Sequence, residues 1–178
     1  MRLLGPIDKM HRLRTELNTQ TMTQSSIPPG EDSPFYELRH EESRALLSRA
    51  HVGRIAFLHG NRVDVEPIGF IYDEGWLFGR TSLGTKVSAL GHRPWVAFEV
   101  DDVRGPFDWE SVVVHGSFHI LSPEGSEYDT ALWERAIKLL RESIPGYGTP
   151  ADHGAFRTTV FGIHMSEMVG RAARTRGR

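Results

Sequence analysis

The densest run of residues able to do chemistry is Gly79-Arg80-Thr81-Ser82-Leu83-Gly84-Thr85-Lys86. Arg80 and Lys86 supply positive charge, Thr81 and Ser82 supply hydroxyl donors, and Gly84 lets backbone N–H groups turn toward a ligand where a helix begins. The natural guest of such a segment is a phosphate. Its order is Gly-Thr-Lys where a nucleotide-triphosphate loop needs Gly-Lys-Thr or Gly-Lys-Ser, which argues against that motif. Taken alone, the segment also fits a strand-end turn whose charges only face water. A second run, Val65-Glu66-Pro67-Ile68-Gly69, combines a residue that cannot donate to a ladder with one that has no side chain to pack. Such a stretch is either an irregular strand edge or a place where a flat ligand meets backbone. Trp109 and Ser111 point the same way along one strand, offering an aromatic wall and a hydroxyl, or simply the polar side of an amphipathic strand. Nine histidines invite a metal, but His115 and His119, on one strand face, stand roughly 13 Å apart and no HExxH occurs. No metal site is expected, and no catalytic side chain can be named.

The elements that must position these residues are short. Leu46, Leu47 and Ala50 have helical spacing over residues 41–50, after which the period changes to two. Residues 54–58, 62–72 and 76–82 read as a three-stranded meander with turns at Gly60-Asn61 and Asp73-Glu74-Gly75. Residues 84–92 allow one or two helical turns, and strands are expected over 94–101, 107–121 and 159–165. Ser126 with Asp129 resembles a capping box, and Trp133, Ala136, Ile137, Leu140 and Ile144 share a face of a helix over 128–144. The expected architecture is mostly β with α: a six-stranded antiparallel split barrel carrying one long helix and one or two short ones. Residues 1–34 lack apolar period and read as a mobile tail, with Met22 a second candidate start. Residues 35–171 form the domain, and 172–178 form a basic, solvated tail.

Composition narrows the function classes. With 39% hydrophobic and 25% charged residues among 178, the chain is ordinary globular protein with no secretory h-region, so a cytoplasmic location is expected. Zero cysteines remove thiol nucleophiles and thiolate metal sites, so electron chemistry would have to come from a cofactor. A formal charge of -2 is far from that of a dedicated nucleic-acid binder.

Across residues 37–171 the chain resembles the pyridoxamine 5′-phosphate oxidase-like superfamily of flavin-binding split barrels, particularly its small flavin-nucleotide-binding and nitroimidazole-resistance branch. The resemblance is carried by Val52-Gly53-Arg54-Ile55-Ala56, by Glu66-Pro67-Ile68-Gly69-Phe70-Ile71-Tyr72, by residues 80–86, by Val96-Ala97-Phe98-Glu99-Val100-Asp101 and by residues 109–116. It implies FMN bound at a homodimer interface, with deazaflavin, FAD or heme as alternatives. Arg80, Thr81, Ser82 and Lys86 then match phosphate ligands, Val65, Pro67, Ile68 and Gly69 match the ring platform, and Trp109 and Ser111 match further ring contacts. It further implies hydride or electron transfer from a reduced nicotinamide or deazaflavin donor to a small acceptor, or, without turnover, a flavin or heme carrier. The family's vitamin B6 oxidases carry Arg-x-x-Gly where this chain has Val113, and their substrate-binding C-terminal segment has no counterpart after Gly170-Arg171. The nitroimidazole branch has a histidine at the position of Gly79. Neither of those two reactions is expected.

Overall fold

A computed structural model describes residues 33–174, so the expected tail over residues 1–34 lies outside the described residues except for Ser33 and Pro34. Among the described residues eight strands and three helices follow in chain order: β1 (Phe35–Glu37), α1 (His40–Arg49), β2 (Val52–His59), β3 (Arg62–Gly69), β4 (Ile71–Asp73), β5 (Trp76–Thr81), α2 (Thr85–His92), β6 (Trp95–Gly105), β7 (Asp108–Ile120), α3 (Glu127–Ser143) and β8 (Thr159–Arg174). One antiparallel sheet runs in the order β3-β2-β6-β7-β8-β5-β4, with β1 also paired to β8.

The split-barrel class expected from sequence agrees with this sheet, but the strand count does not. The sheet has eight strands and its ends are not hydrogen-bonded together. One expected strand, over 62–72, is two, because Phe70 leaves the ladder to donate its N–H to the His51 carbonyl and to bury its ring edge-on against Phe98. The three-residue β1 carries too little pattern to be read in advance. The last strand does not stop near residue 165 or give way to a solvated tail at 172. It continues to Arg174 because β7 pairs along one edge while β1 pairs along the other, burying Ala172 and Ala173 completely. Small residues without β-branching give little strand signal, and here the partners supply it.

Two apolar clusters hold the sheet in its curve. Leu46 and Leu47 of α1 pack with Ile55, Phe57, Phe98, Val100, Val112, Val114, Phe161 and Ile163 on its inner face. Leu132, Ala136, Ile137 and Leu140 of α3 pack with Trp76, Phe78 and Val160. The α3 start carries the expected reciprocal cap, with the Asp129 N–H donating to Ser126 Oγ and the Ser126 N–H to Asp129 Oδ2. Strand β5 lies between the clusters, giving Leu77 to the first and Phe78 to the second, so its sequence is apolar on both faces.

Chain crossings inside this curve leave no room for some side chains. At Gly116, where the β7–β8 register shifts, a Cβ would lie 2.2 Å from the His164 carbonyl oxygen. Gly116→Ala should therefore cost about 2 to 3 kcal/mol by overpacking. Gly91, in α2 with nothing within 4 Å of an added Cβ, is the contrasting site, where alanine should be neutral or stabilise by up to about 1 kcal/mol. Urea unfolding of both variants checks the pair, and equal midpoints would refute the packing account.

Candidate functional site

The turn after β5 opens into a cleft of about 360 Å³. Its walls are Glu66, Pro67 and Ile68 from β3, residues 80–86, and Phe156 and Arg157 from the segment leading into β8. The phosphate-type turn and two of the four expected platform residues, Pro67 and Ile68, thus share one cavity, which Val65 and Gly69 do not line. Gly79 makes this possible: a Cβ there would lie 2.6 Å from the Gly69 carbonyl oxygen and 2.4 Å from the Phe161 ring. The position that holds a histidine in the nitroimidazole branch has no space for any side chain here.

Both cations expected to grip a phosphate already have carboxylate partners. Lys86 Nζ lies 3.0 Å from Glu66 Oε2, the lysine largely buried and the glutamate half-exposed. Arg80 is held differently. Its Nη1 donates to Asp152 Oδ2 at 2.5 Å and its Nη2 to Asp152 Oδ1, a fork on a carboxylate that is 1% exposed. The Gly148 and Gly154 N–H groups also donate to Asp152, and the guanidinium lies 4.8 Å from the centre of the Tyr147 ring. Those bonds, Arg80 first, hold the Asp152 carboxyl well below the usual carboxylate range and raise the Arg80 guanidinium further. Arg157, the third cation of the cleft, has no carboxylate partner among the described residues and lies over the Phe156 ring at 5.4 Å.

The remaining hydroxyls differ in access. Ser82 and Thr85 are exposed, whereas Thr81 is buried at the end of β5. On β3 the expected platform divides by face. Val65, Pro67 and Gly69 pair with Ala56, Arg54 and Val52 and lie on the outer side of the sheet, whereas the Ile68 side chain is buried in the core. Only the backbone of Ile68 is therefore open to a ligand on that face. A Cβ at Gly69 would meet nothing closer than the His51 carbonyl oxygen at 3.7 Å, and Gly69 has no left-handed backbone angle, so its lack of a side chain keeps a surface open without relieving strain.

Trp109 and Ser111 share that outer face through the register Val65–Ala56–Ala97–His115, but three strand-to-strand steps and six residues separate Trp109 from Val65. On a flat sheet that is roughly 25 Å. The chain does not bring Trp109 and Val65 together. Ser111 Oγ donates to Glu99 Oε1 at 2.9 Å, and Arg54 bonds Glu99 and Asp101, so the polar groups between are paired with one another. Around them the outer face is apolar and open: Val52, Val63, Val65, Trp95 and Val103 are each 61–70% exposed.

Sequence reasoning missed Asp152, Phe156 and Arg157. They lie some 70 residues after the turn they complete, in a segment whose only local marks are Gly146 and Gly148 at positive φ. An isolated Asp and a Phe-Arg pair carry no spacing that would connect them to Arg80. Among the described residues no three His, Asp or Glu converge as metal ligands, and no helix is long and apolar enough to cross a membrane.

Comparison with known proteins identifies the family and the fold. Residues 39–172 match the pyridoxamine 5′-phosphate oxidase family profile, and the chain belongs to that family. An uncharacterized protein of Rhizobium meliloti is 24% identical over 141 residues, covering 76% of this chain and 93% of its own. The crystal structure of an FAD-binding protein from Mesorhizobium loti superposes with a TM-score of 0.62 at 24% identity, covering 79% of this chain and 99% of that one. The FAD-binding protein of Mycobacterium smegmatis gives 0.57 at 28% identity, covering 76% and 98%.

The depressed Asp152 carboxyl fixes a sign for acid stability. A carboxyl whose folded value lies below its unfolded one contributes stability that is complete above about pH 4 and is lost as pH falls through the folded value. Glu110 adds in the same sense, since its bonds from Arg49 and Arg174 outweigh the burial that pushes it up. Asp152→Asn should therefore lower the melting temperature by a constant amount from pH 8 to 5, with the gap to wild type narrowing only below about pH 4. Melting curves across that range check it; a gap that closes near neutrality would refute the assignment.

Proposed function

We propose that this chain is an FMN-dependent oxidoreductase acting as a homodimer, passing hydride or electrons between a reduced nicotinamide or deazaflavin donor and a small acceptor. The observation that carries the reading is the shared cleft: Glu66, Pro67 and Ile68 of the platform strand and residues 80–86 of the phosphate turn line one cavity. The 28%-identical relative described as FAD-binding supports a flavin as the class of ligand.

The residues fit the group. Exposed Ser82 and Thr85 offer hydroxyls, and Lys86 offers charge once a phosphate displaces the half-exposed Glu66. Val65, Pro67 and Gly69 present a flat, side-chain-poor surface on an edge strand, where proline's missing N–H breaks no inner ladder. When bound, a flavin supplies the ring that accepts and returns hydride or electrons. The chain's own part is to bind the phosphate, to orient the ring on β3 and to keep water from one side of it. Trp109 and Ser111, out of reach within one protomer, serve the site of a partner subunit. An outer face with five large apolar side chains more than 60% exposed suits such a two-fold contact.

Purified protein saturated with FMN should show the flavin visible spectrum, sediment as a dimer and bleach anaerobically with at least one reduced nicotinamide or deazaflavin donor. Bound flavin that no donor in a broad panel reduces would replace the enzyme with a carrier. A Soret band from bound heme with no flavin uptake would reject both flavin readings.

Two substitutions separate binding from chemistry. Lys86→Ala should weaken FMN by about 1.5 to 3 kcal/mol with little effect on riboflavin, measured by flavin fluorescence quenching. Gly69→Val, whose Cβ makes only ordinary contact with the His51 carbonyl oxygen, should leave unfolding midpoints and FMN affinity near wild type while slowing donor oxidation at least tenfold, because it narrows approach to the ring. Joint loss of fold and activity would contradict the open-surface role.

A further inference from the structure

The phosphate-type turn contains two cations, Lys86 and Arg80, of which only Lys86 can turn its charge to a ligand. We propose that Arg157 is a second cation, beside Lys86, that recognises the flavin phosphate in this cleft, and that Arg80 is a positioning residue that holds the Arg157-bearing segment in place through Asp152. This inference rests on the flavin-phosphate reading of the cleft.

Arg80 and Arg157 both line the cavity, yet their electrostatic situations are opposite. Asp152 takes both terminal nitrogens of Arg80 in a fork and is itself satisfied by two backbone N–H groups. An incoming phosphate would have to separate a pair that is about 90% buried or more on both sides, leaving an uncompensated carboxylate, which is a heavy cost. Close packing keeps Arg80 there: a Cβ at Gly154 would lie 2.5 Å from its Nη2, and Tyr147 covers its guanidinium. Arg157 makes no ion pair among the described residues, so a dianion meets its full charge with no carboxylate to displace. Asp152 is five residues upstream, and the intervening chain is folded by turn bonds from the Ala155 N–H to Asp152 O and from the Arg157 N–H to Gly154 O. Fixing Asp152 on Arg80 therefore fixes where Arg157 enters the cleft.

The test titrates FMN and riboflavin, which differ only in the phosphate, into wild type, Arg157→Ala, Arg157→Lys and Asp152→Asn. Arg157→Ala should weaken FMN at least tenfold, leave riboflavin within twofold and reduce the salt dependence of FMN binding, and Arg157→Lys should recover most of the loss. Asp152→Asn, an isosteric change, should lower the FMN-to-riboflavin preference in the same direction, and adding it to Arg157→Ala should bring no further loss. A wild type that prefers FMN and an Arg157→Ala variant that keeps that preference would overturn the proposal while sparing the phosphate cleft. A wild type that binds FMN and riboflavin equally would overturn the cleft reading and this inference together.

Discussion

Gly79 passes so close to the end of β3 that a single added carbon would collide with the Gly69 carbonyl oxygen and the Phe161 ring. The site depends on that contact. The sheet is open, with β3 and β4 as its terminal strands, but β4 follows β3 after Phe70 alone and pairs Ile71 with Phe78, which carries the end of β3 alongside β5. Burial of β5 on both faces, by Leu77 toward one cluster and Phe78 toward the other, fixes β5, and the β4 pairing sets the end of β3 against it. Where they meet, the chain following Gly79 becomes the phosphate-type turn and the chain preceding Gly69 becomes the flat platform. A side chain at Gly79 would separate the strands and with them the two halves of the cleft.

Charge in the cleft is arranged in two grades. Lys86 and Glu66 form a pair with one half-exposed member, which water screens and a stronger anion can displace. Arg80 and Asp152 form a pair with both members buried and the carboxylate's remaining capacity met by backbone donors. A pair of that kind fixes conformation more surely than it adds stability, because removing either member strands the other. Here it ties a segment that has turned through Gly146 and Gly148 at positive φ back onto the end of β5. The cleft is thus closed on one side by electrostatics and on the other by packing.

The parts of this arrangement that were legible in the sequence are the local ones. Residues 80–86 announce themselves because charge, hydroxyls and glycine fall within one turn, and the α3 cap because Ser126 and Asp129 are three residues apart. Period-two alternation separates Val65, Pro67 and Gly69 from Ile68, whose side chain enters the core while its backbone lines the cleft, and it also places Trp109 with Ser111. What stayed hidden is set by distant partners. The break at Phe70 comes from the His51 carbonyl and the Phe98 ring, the extension of β8 from β1 and β7, and the role of Arg80 from a carboxylate 72 residues away. None of these partners leaves a mark on the local pattern it controls.

The outer sheet face limits what the chain itself can contribute to chemistry. Next to Gly69 and Pro67 stand Val52, Val65 and Arg54, and Arg54 is committed to Glu99 and Asp101. Ser111 is committed to the same Glu99. A proton acceptor or donor recruited from this set would have to leave a bond that another member of the set needs, so the network resists giving up any one group. It can hold a fixed pattern of charge on that face. A surface with open apolar side chains around a self-satisfied polar centre is suited to cover and orient a flat group laid against it, and not to exchange protons with it.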